Sequence, residues 1–214
     1  MSKVFFSVSM SLDGFIAPEG MDLAHADDPA YKDWMNQWMK LQAWVSEQKF
    51  FRDNLQLGDG GETGPDNTIL QETFDRTGVS IMGKRMFDGG ERYWPEEAPF
   101  HTPVFVLTHQ VRDPWERPGG TTFYFLNDGI EIALQEARAA AGDRDIRIAG
   151  GANAILQYLN AGLVDEFSIA LAPVLLGAGT RLFEGVDRGR IALDLIEAFH
   201  SPLVTHLSYA TRSK

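Results

Sequence analysis

Apolar and polar residues alternate from Val4 to Met10, a period of two that predicts a strand running into a turn at Asp13-Gly14. Between Asp27 and Phe51 the period changes to three or four. Trp34, Trp38, Leu41 and Val45 share one helical face there, and Asp27 or Asp28 before Pro29 supplies a helix start. Aromatic stripes of this spacing read as core or subunit contact. GDGGETGPDN, Gly58 to Asn67, is dense in breakers and reads as a surface loop. Regular alternation follows: a helix over Thr68–Arg76, a strand over Val79–Met82, then Gly83-Lys84-Arg85 opening a short helix. Strands at Val104–Thr108 and Thr122–Phe125 precede a helix from Gly129 to Ala141 with Gly142 at its C-cap. A short strand, Ile146–Ala149, then meets the glycine pair Gly150-Gly151, a helix over Ala152–Asn160 and an apolar strand over Glu166–Leu175. Two strands, Leu193–His200 and Val204–Arg212, close the chain around Ser201-Pro202.

Strands alternating with helices imply an α/β protein: a mostly parallel sheet covered on both faces, with the final pair antiparallel at an edge. No internal repeat and no clean boundary divides the 214 residues, so one domain is expected. A net charge of -11 argues against nucleic acid and anionic membrane as partners. There is no cysteine, which removes disulfides, thiolate catalysis and cysteine-based zinc sites and fits a cytoplasmic protein. The first residues lack the apolar core and cleavage site of a secretory signal. The five histidines show no metal-ligand spacing, and no G-x-S-x-G elbow is present.

The candidate chemistry sits at strand ends, where open α/β sheets bind ligands. Glycines between a strand and a helix bring bare amides to the positive end of a helix dipole, an arrangement suited to phosphate. Gly150-Gly151 ends one strand in this way. Gly83-Lys84-Arg85 ends another with two cations, and Thr108-His109-Gln110 ends a third with a hydroxyl and an imidazole. Together they favour a dinucleotide with several phosphates. Arg85, His109 and Arg112 are the cations available for a 2′-phosphate. GGANA is not the GxGxxG fingerprint, which disfavours a Rossmann domain.

SVSMSLDGFIA, IMGKRMF and IAGGANAILQYLNAGLVDEFSIALAPVLLGAGTRLF occur in the order of motifs of the dihydrofolate reductase-like superfamily. The chain resembles its riboflavin-biosynthesis reductase branch, the RibD C-terminal domain, over residues 3–17 and 79–212. The resemblance implies a three-layer fold with a C-terminal antiparallel hairpin, NADPH as hydride donor, a small-molecule substrate and a homodimer. It would put Gly150, Gly151, Ala152 and Asn153 on the cofactor diphosphate, and Gly83, Lys84 and Arg85 on the adenosine side. Thr108 and His109 would lie near the 2′-phosphate, and Ser9, Ile16 and Ala17 beside the nicotinamide. Asp13 would face the substrate cleft, as a turn former or a proton donor, and Arg181 is a candidate for a substrate phosphate.

The chain also departs from that pattern. Dihydrofolate reductases use an acid on the helix after the first loop, and here an expanded tract from Asp22 to Asn67 replaces it, with Asp27, Asp28 and Asp33 as candidates by position. A chain without cysteine cannot carry the zinc deaminase half of the bifunctional riboflavin enzyme. The implied activity is therefore that of a free-standing NADPH-dependent reductase of a heterocyclic or imine-type substrate. The nearest family reaction reduces 5-amino-6-(5-phosphoribosylamino)uracil. Dihydrofolate reductase-like activity and a non-catalytic NADPH-binding sensor are the alternatives.

Overall fold

The computed structural model describes residues 2–213. In chain order the elements are β1 (Val4–Ser11), β2 (Phe15–Pro18), α1 (Tyr31–Leu41), α2 (Ala43–Ser46), α3 (Lys49–Asn54), α4 (Pro65–Asp75), β3 (Thr77–Gly83), α5 (Lys84–Glu91) and β4 (Pro103–Leu107). They continue with β5 (Trp115–Glu116), β6 (Thr122–Leu126), α6 (Ile130–Ala141), β7 (Asp145–Gly150), α7 (Ala152–Asn160), β8 (Glu166–Ala172), β9 (Gly179–Arg181), β10 (Ile191–His200) and β11 (Thr205–Ser213). Among these, nine strands form one sheet in the order β10-β11-β8-β1-β7-β3-β4-β6-β5. Its centre is parallel, whereas β10, β11 and β5 join antiparallel at the edges.

Alternation along the strands sorts side chains between two helical layers. Val4, Phe6, Val79, Ile81, Ile146, Ile148 and Phe167 face α6 and α7, where they meet Leu134, Ala137, Ile155 and Tyr158. Phe6 stacks on Phe167 with ring centroids 4.7 Å apart. The other face is covered in two patches. Leu41, Trp44 and Leu70 of α1, α2 and α4 lie over Ala170 and Ala172, while Phe87 of α5 packs with Met82, Val104, Val106 and Phe123. Both faces of β3 are thus covered, which is why Thr77–Met82 is buried at every position rather than alternately.

The tract from Asp22 to Asn67 differs most from the sequence pattern. The single helical stretch expected over Asp27–Phe51 is three short helices, and the first begins at Tyr31 with no side-chain cap rather than at Asp27 or Asp28. The break after Leu41 turns the chain so that Trp44, outside the expected stripe, is the buried tryptophan, while Trp34 and Trp38 are half-buried. The loop expected through Asn67 ends earlier, because Pro65 starts α4. Asp66 is consequently buried in the helix's first turn instead of lying in solvent. The three short strands β2, β5 and β9 are too brief for periodicity to reveal, and the strand expected to reach Leu175 stops before Pro173. Among the described residues, no helix is long and apolar enough to cross a membrane.

Candidate functional site

Three of the strand ends singled out by sequence lie side by side, because β7, β3 and β4 are neighbours in the sheet. β7 runs into Gly150-Gly151, joined by a cis peptide bond, and Gly151 is the N-cap of α7. β3 ends at Gly83, the N-cap of α5. A Cβ on Gly83 would lie 3.7 Å from the Gly151 nitrogen, so the two helix starts abut. Neither N-cap is satisfied by a side chain. The first-turn amides of both helices are therefore left without intrahelical acceptors, and two positive dipole ends converge on one place.

The paired glycines differ in what they demand. Gly150 has φ of +131°, a backbone conformation that favours glycine, and a Cβ there would also push the flexible Met86 side chain aside from 2.8 Å. Gly151 has an ordinary φ of -79°, and a Cβ there would meet nothing within 4 Å. The space in front of Gly151 is open, as a diphosphate resting on the amides of Gly151, Ala152 and Asn153 would need. The Asn153 side chain, at the mouth, accepts from Gln157 Nε2.

A gap opens next to this cradle. β1 and β7 pair only at Val4↔Ile146 and Phe5↔Arg147. Beyond that point β1 stays with β8 as far as Ser11, and β7 stays with β3 as far as Gly150. The two strands therefore diverge towards their carboxyl ends, with Ser9 on one side and the glycine pair on the other. Ser9 is 6% exposed, accepts from Trp44 Nε1 at 2.9 Å and donates to Gln42 Oε1 at 3.1 Å. Of the other residues expected beside a nicotinamide, Ile16 packs against the main core and Ala17 pairs with Thr180 in the β2–β9 ribbon.

The cations expected around a 2′-phosphate are unequally free. Lys84 pairs with Asp88. Arg112 pairs with Glu91 at 2.8 Å and lies over the Phe125 ring. Arg85 donates to the Met21 carbonyl at 3.0 Å, which ties the segment before α1 to α5. His109 is exposed and has no partner among the described residues, just after the buried Thr108 whose hydroxyl accepts from the Gln110 amide.

Asp13 is committed to a loop. Its carboxylate accepts from Ser11 Oγ at 2.6 Å, Gly177 N at 2.7 Å and Leu176 N at 3.2 Å, so it fastens the β1–β2 turn to the β8–β9 connection. The Ser11 hydroxyl is the largest influence holding its pKa down, to about 2, with the two backbone amides adding to the effect against partial desolvation. A carboxylate ionised at neutral pH does not donate a proton, so the turn-forming role is the one this geometry favours. Arg181 donates to the Asp13 carbonyl at 3.0 Å, lies over the Phe15 ring and lines a cavity of about 380 Å³ with Met10, Gly14, Phe183 and Glu184. The positional candidates Asp27, Asp28 and Asp33 are exposed; Asp28 caps the Ala30 amide and Asp33 accepts from Gln37. None of the three hydrogen-bonds Ser9. Gln42 and Trp44, which do, escaped sequence reasoning, and the one available signal was the indole that breaks the tryptophan stripe's spacing. Among the described residues, no group of three or more His, Asp or Glu is placed to hold a metal ion.

The depressed carboxylate predicts a pH effect. With 3.8 as its ordinary value and about 2 in the fold, Asp13 contributes stability above about pH 4, which is lost as pH falls through 2. Wild type is expected to be more stable than Asp13→Asn at pH 6, with the difference shrinking as pH falls below about 4 and vanishing below 2, as read by urea midpoints across that range.

The sequence model of the RibD C-terminal domain matches residues 2–205. The chain belongs to that family. Uncharacterized protein YyaP of Bacillus subtilis (strain 168) is 40% identical over 122 residues, a match covering 54% of this chain and 64% of YyaP, less than two thirds of that relative. Uncharacterized protein YwjB of the same organism is 24% identical over 187 residues, 85% of this chain and 82% of YwjB. Among solved structures, a Shewanella sp. PV-4 protein provisionally assigned to riboflavin biosynthesis aligns over 99% of both chains with a TM-score of 0.64 and 20% identity. The Thermotoga maritima diaminohydroxyphosphoribosylaminopyrimidine deaminase/5-amino-6-(5-phosphoribosylamino)uracil reductase aligns over 99% of this chain and 57% of its own, with TM-score 0.60 and 12% identity. Enterococcus faecalis dihydrofolate reductase, complexed with NADP(H), aligns over 98% and 96% with TM-score 0.55 and 12% identity. The RibD C-terminal domain of this chain thus has the dihydrofolate reductase-like fold expected from its motifs.

Proposed function

We propose that this protein is an NADPH-dependent reductase of a heterocyclic or imine-type substrate, with the reduction of 5-amino-6-(5-phosphoribosylamino)uracil as the nearest family activity. The observation that carries this reading is the meeting of two uncapped, glycine-headed helix N-termini at the ends of β3 and β7, beside the gap between β1 and β7. Family membership and the reductase neighbours support it.

The residues fit the cofactor, since the open space at Gly151 suits a diphosphate and no side chain competes for the helix amides. When bound, the reduced nicotinamide supplies a hydride from its C4. The chain's part is to hold and to shield. Gly151, Ala152 and Asn153 grip the diphosphate, with the α5 start at Gly83 beside them. The edge of β1 near Ser9, unpaired towards β7, offers backbone donors and acceptors to a carboxamide in the gap. Of the cations named for a 2′-phosphate, His109 and Arg85 are left for that role, because Arg112 is paired with Glu91. Asp13 is held ionised and accepts three hydrogen bonds, so this reading assigns the proton that balances hydride transfer to solvent rather than to Asp13. Positioning and water exclusion then carry most of the rate.

The test is NADPH oxidation followed at 340 nm across a panel of pyrimidines, pterins and imines. Saturable oxidation with one substrate supports the reductase; tight NADPH binding without turnover on any of them favours a sensor on the same fold. A second copy of the chain is the proposed partner, pairing through β10. This strand is the edge of the sheet and exposes Leu193, Leu195 and Ile196. Leu195→Lys is expected to shift the sedimenting species from dimer to monomer; an unchanged mass would remove β10 from the interface.

A further inference from the structure

Two arginines stack on aromatic rings on the sheet face that the insert covers, and only one of them is neutralised. Arg76 lies over the Phe5 ring, 4.1 Å from its centroid, and pairs with both Asp145 and Glu166. Arg147 lies over the Phe74 ring of α4 at 4.9 Å, and among the described residues it has neither a hydrogen bond nor an ion pair. Its Nε is shut off from solvent without an acceptor. Burial alone pushes its pKa down to about 10, with no carboxylate opposing the effect. A desolvated cation without an anion is costly, and the ring beneath it offsets only part of that cost.

The direction of the side chain follows from alternation. Ile146 and Ile148 enter the α6/α7 core, so Arg147 points to the opposite face, where Phe74 receives it. Arg147 is also the last β7 residue paired with β1, which puts it at the closed end of the β1–β7 gap. Three residues along the strand place it about 10 Å from Gly150, clear of the diphosphate cradle. Ser80 is its register partner on β3, and Ser7 lies two residues beyond its β1 partner Phe5, on the face that Ser9 shares. Neither hydroxyl has a hydrogen-bond partner among the described residues, and neither oxygen is wholly buried. The terminal nitrogens of Arg147 are in the same state.

We infer that Arg147, with the Ser7 and Ser80 hydroxyls beside it, binds a carboxylate carried by the substrate. The inference rests on the reductase reading in one respect, because it takes the ligand at the base of the gap to be what the cofactor reduces. The terminal guanidinium nitrogens and the two hydroxyls are donors, and a carboxylate is an acceptor that completes them. One cation balances a single negative charge. A phosphate dianion would bring a second charge into the interior with nothing to meet it. Phe74, itself half-buried, gives the ring that bears the carboxylate an apolar neighbour.

The experiment measures calorimetric binding of benzoate, benzamide and phenyl phosphate to the NADPH-loaded and the cofactor-free protein, in wild type, Arg147→Met, Arg147→Lys and Ser80→Ala. NADPH affinity is titrated alongside. Wild type is expected to bind benzoate about tenfold more tightly than benzamide, with phenyl phosphate weaker than benzoate. Arg147→Met keeps the stem over Phe74 and should abolish the preference for benzoate without changing NADPH affinity. Arg147→Lys keeps the charge and should retain part of that preference. Ser80→Ala, the mildest of the changes, should weaken benzoate severalfold and leave benzamide as it was. A wild type that binds benzoate no better than benzamide, or a preference that persists in Arg147→Met, overturns the inference and leaves Arg147 a packing residue. Phenyl phosphate bound more tightly than benzoate overturns the carboxylate assignment. Loss of NADPH binding in wild type instead strikes the reductase reading, and the measurements on the cofactor-free protein still decide the role of Arg147.

Discussion

Gly151→Val should remove NADPH binding while leaving the fold standing. The position has φ of -79°, which valine tolerates, and a Cβ meets no atom within 4 Å. The protein itself therefore has no steric need for glycine at Gly151, and the added branches would occupy the space where a diphosphate meets the α7 amides. Two charge-assisted hydrogen bonds lost there amount to about 3 kcal/mol, or roughly a hundredfold in Kd. Valine is also a poorer N-cap than glycine, which costs at most about 1 kcal/mol and a few degrees in Tm. Gly150→Ala should behave in the opposite sense: its φ of +131° and the Met86 sulfur 2.8 Å from the new Cβ make it a fold-destabilising change first. Fluorescence titration with NADPH and thermal unfolding of both variants separate these outcomes. Unchanged affinity in Gly151→Val would count directly against the cradle.

The second large effect is expected at a contact between α4 and β11, on other elements than the glycine turns. Asp66 in the first turn of α4 and His206 in β11 are both buried and share a hydrogen bond of 2.9 Å. The Trp44 ring stands edge-on to His206, with centroids 4.9 Å apart. This pair clasps the insert to the sheet and supports the ring whose nitrogen donates to Ser9. Asp66→Ala leaves the His206 nitrogen unpaired in the interior, a loss of about 1–3 kcal/mol, or roughly 2–4 °C in Tm for each kcal/mol at this size. NADPH affinity should hold, since the glycine cradle lies on other elements. A double-mutant cycle with His206→Ala should show coupling, as residues in direct contact do. Additive effects would mean that the two side chains do not act as a unit.

The parallel sheet and the glycine turns at its strand ends were legible because each rests on local pattern. Buried strands such as Val79–Met82 stand out as apolar runs, and Gly83 and Gly150-Gly151 mark the strand-to-helix transitions. The insert was not legible in the same way. Periodicity extrapolated one helix through Gln42, where the backbone turns, so it placed Trp34 and Trp38 inside and passed over Trp44. The role of Asp66 was hidden for a related reason, since a loop reading of GDGGETGPDN carries no information about a partner 140 residues away on β11. Asp13 shows a third kind of limit. Its motif placed it beside the cleft, but only the distances to Ser11, Leu176 and Gly177 reveal that its carboxylate is already in use.

The central claim is that the bare amides at the heads of α5 and α7 hold the diphosphate of a reduced pyridine dinucleotide whose ring enters the gap between β1 and β7. A crystal structure of the protein grown with NADPH tests it most directly. The account predicts diphosphate oxygens within hydrogen-bond distance of the Gly151, Ala152 and Asn153 nitrogens, and a nicotinamide ring beside Ser9. A cofactor bound elsewhere, or crystals that stay empty at millimolar NADPH, would contradict it.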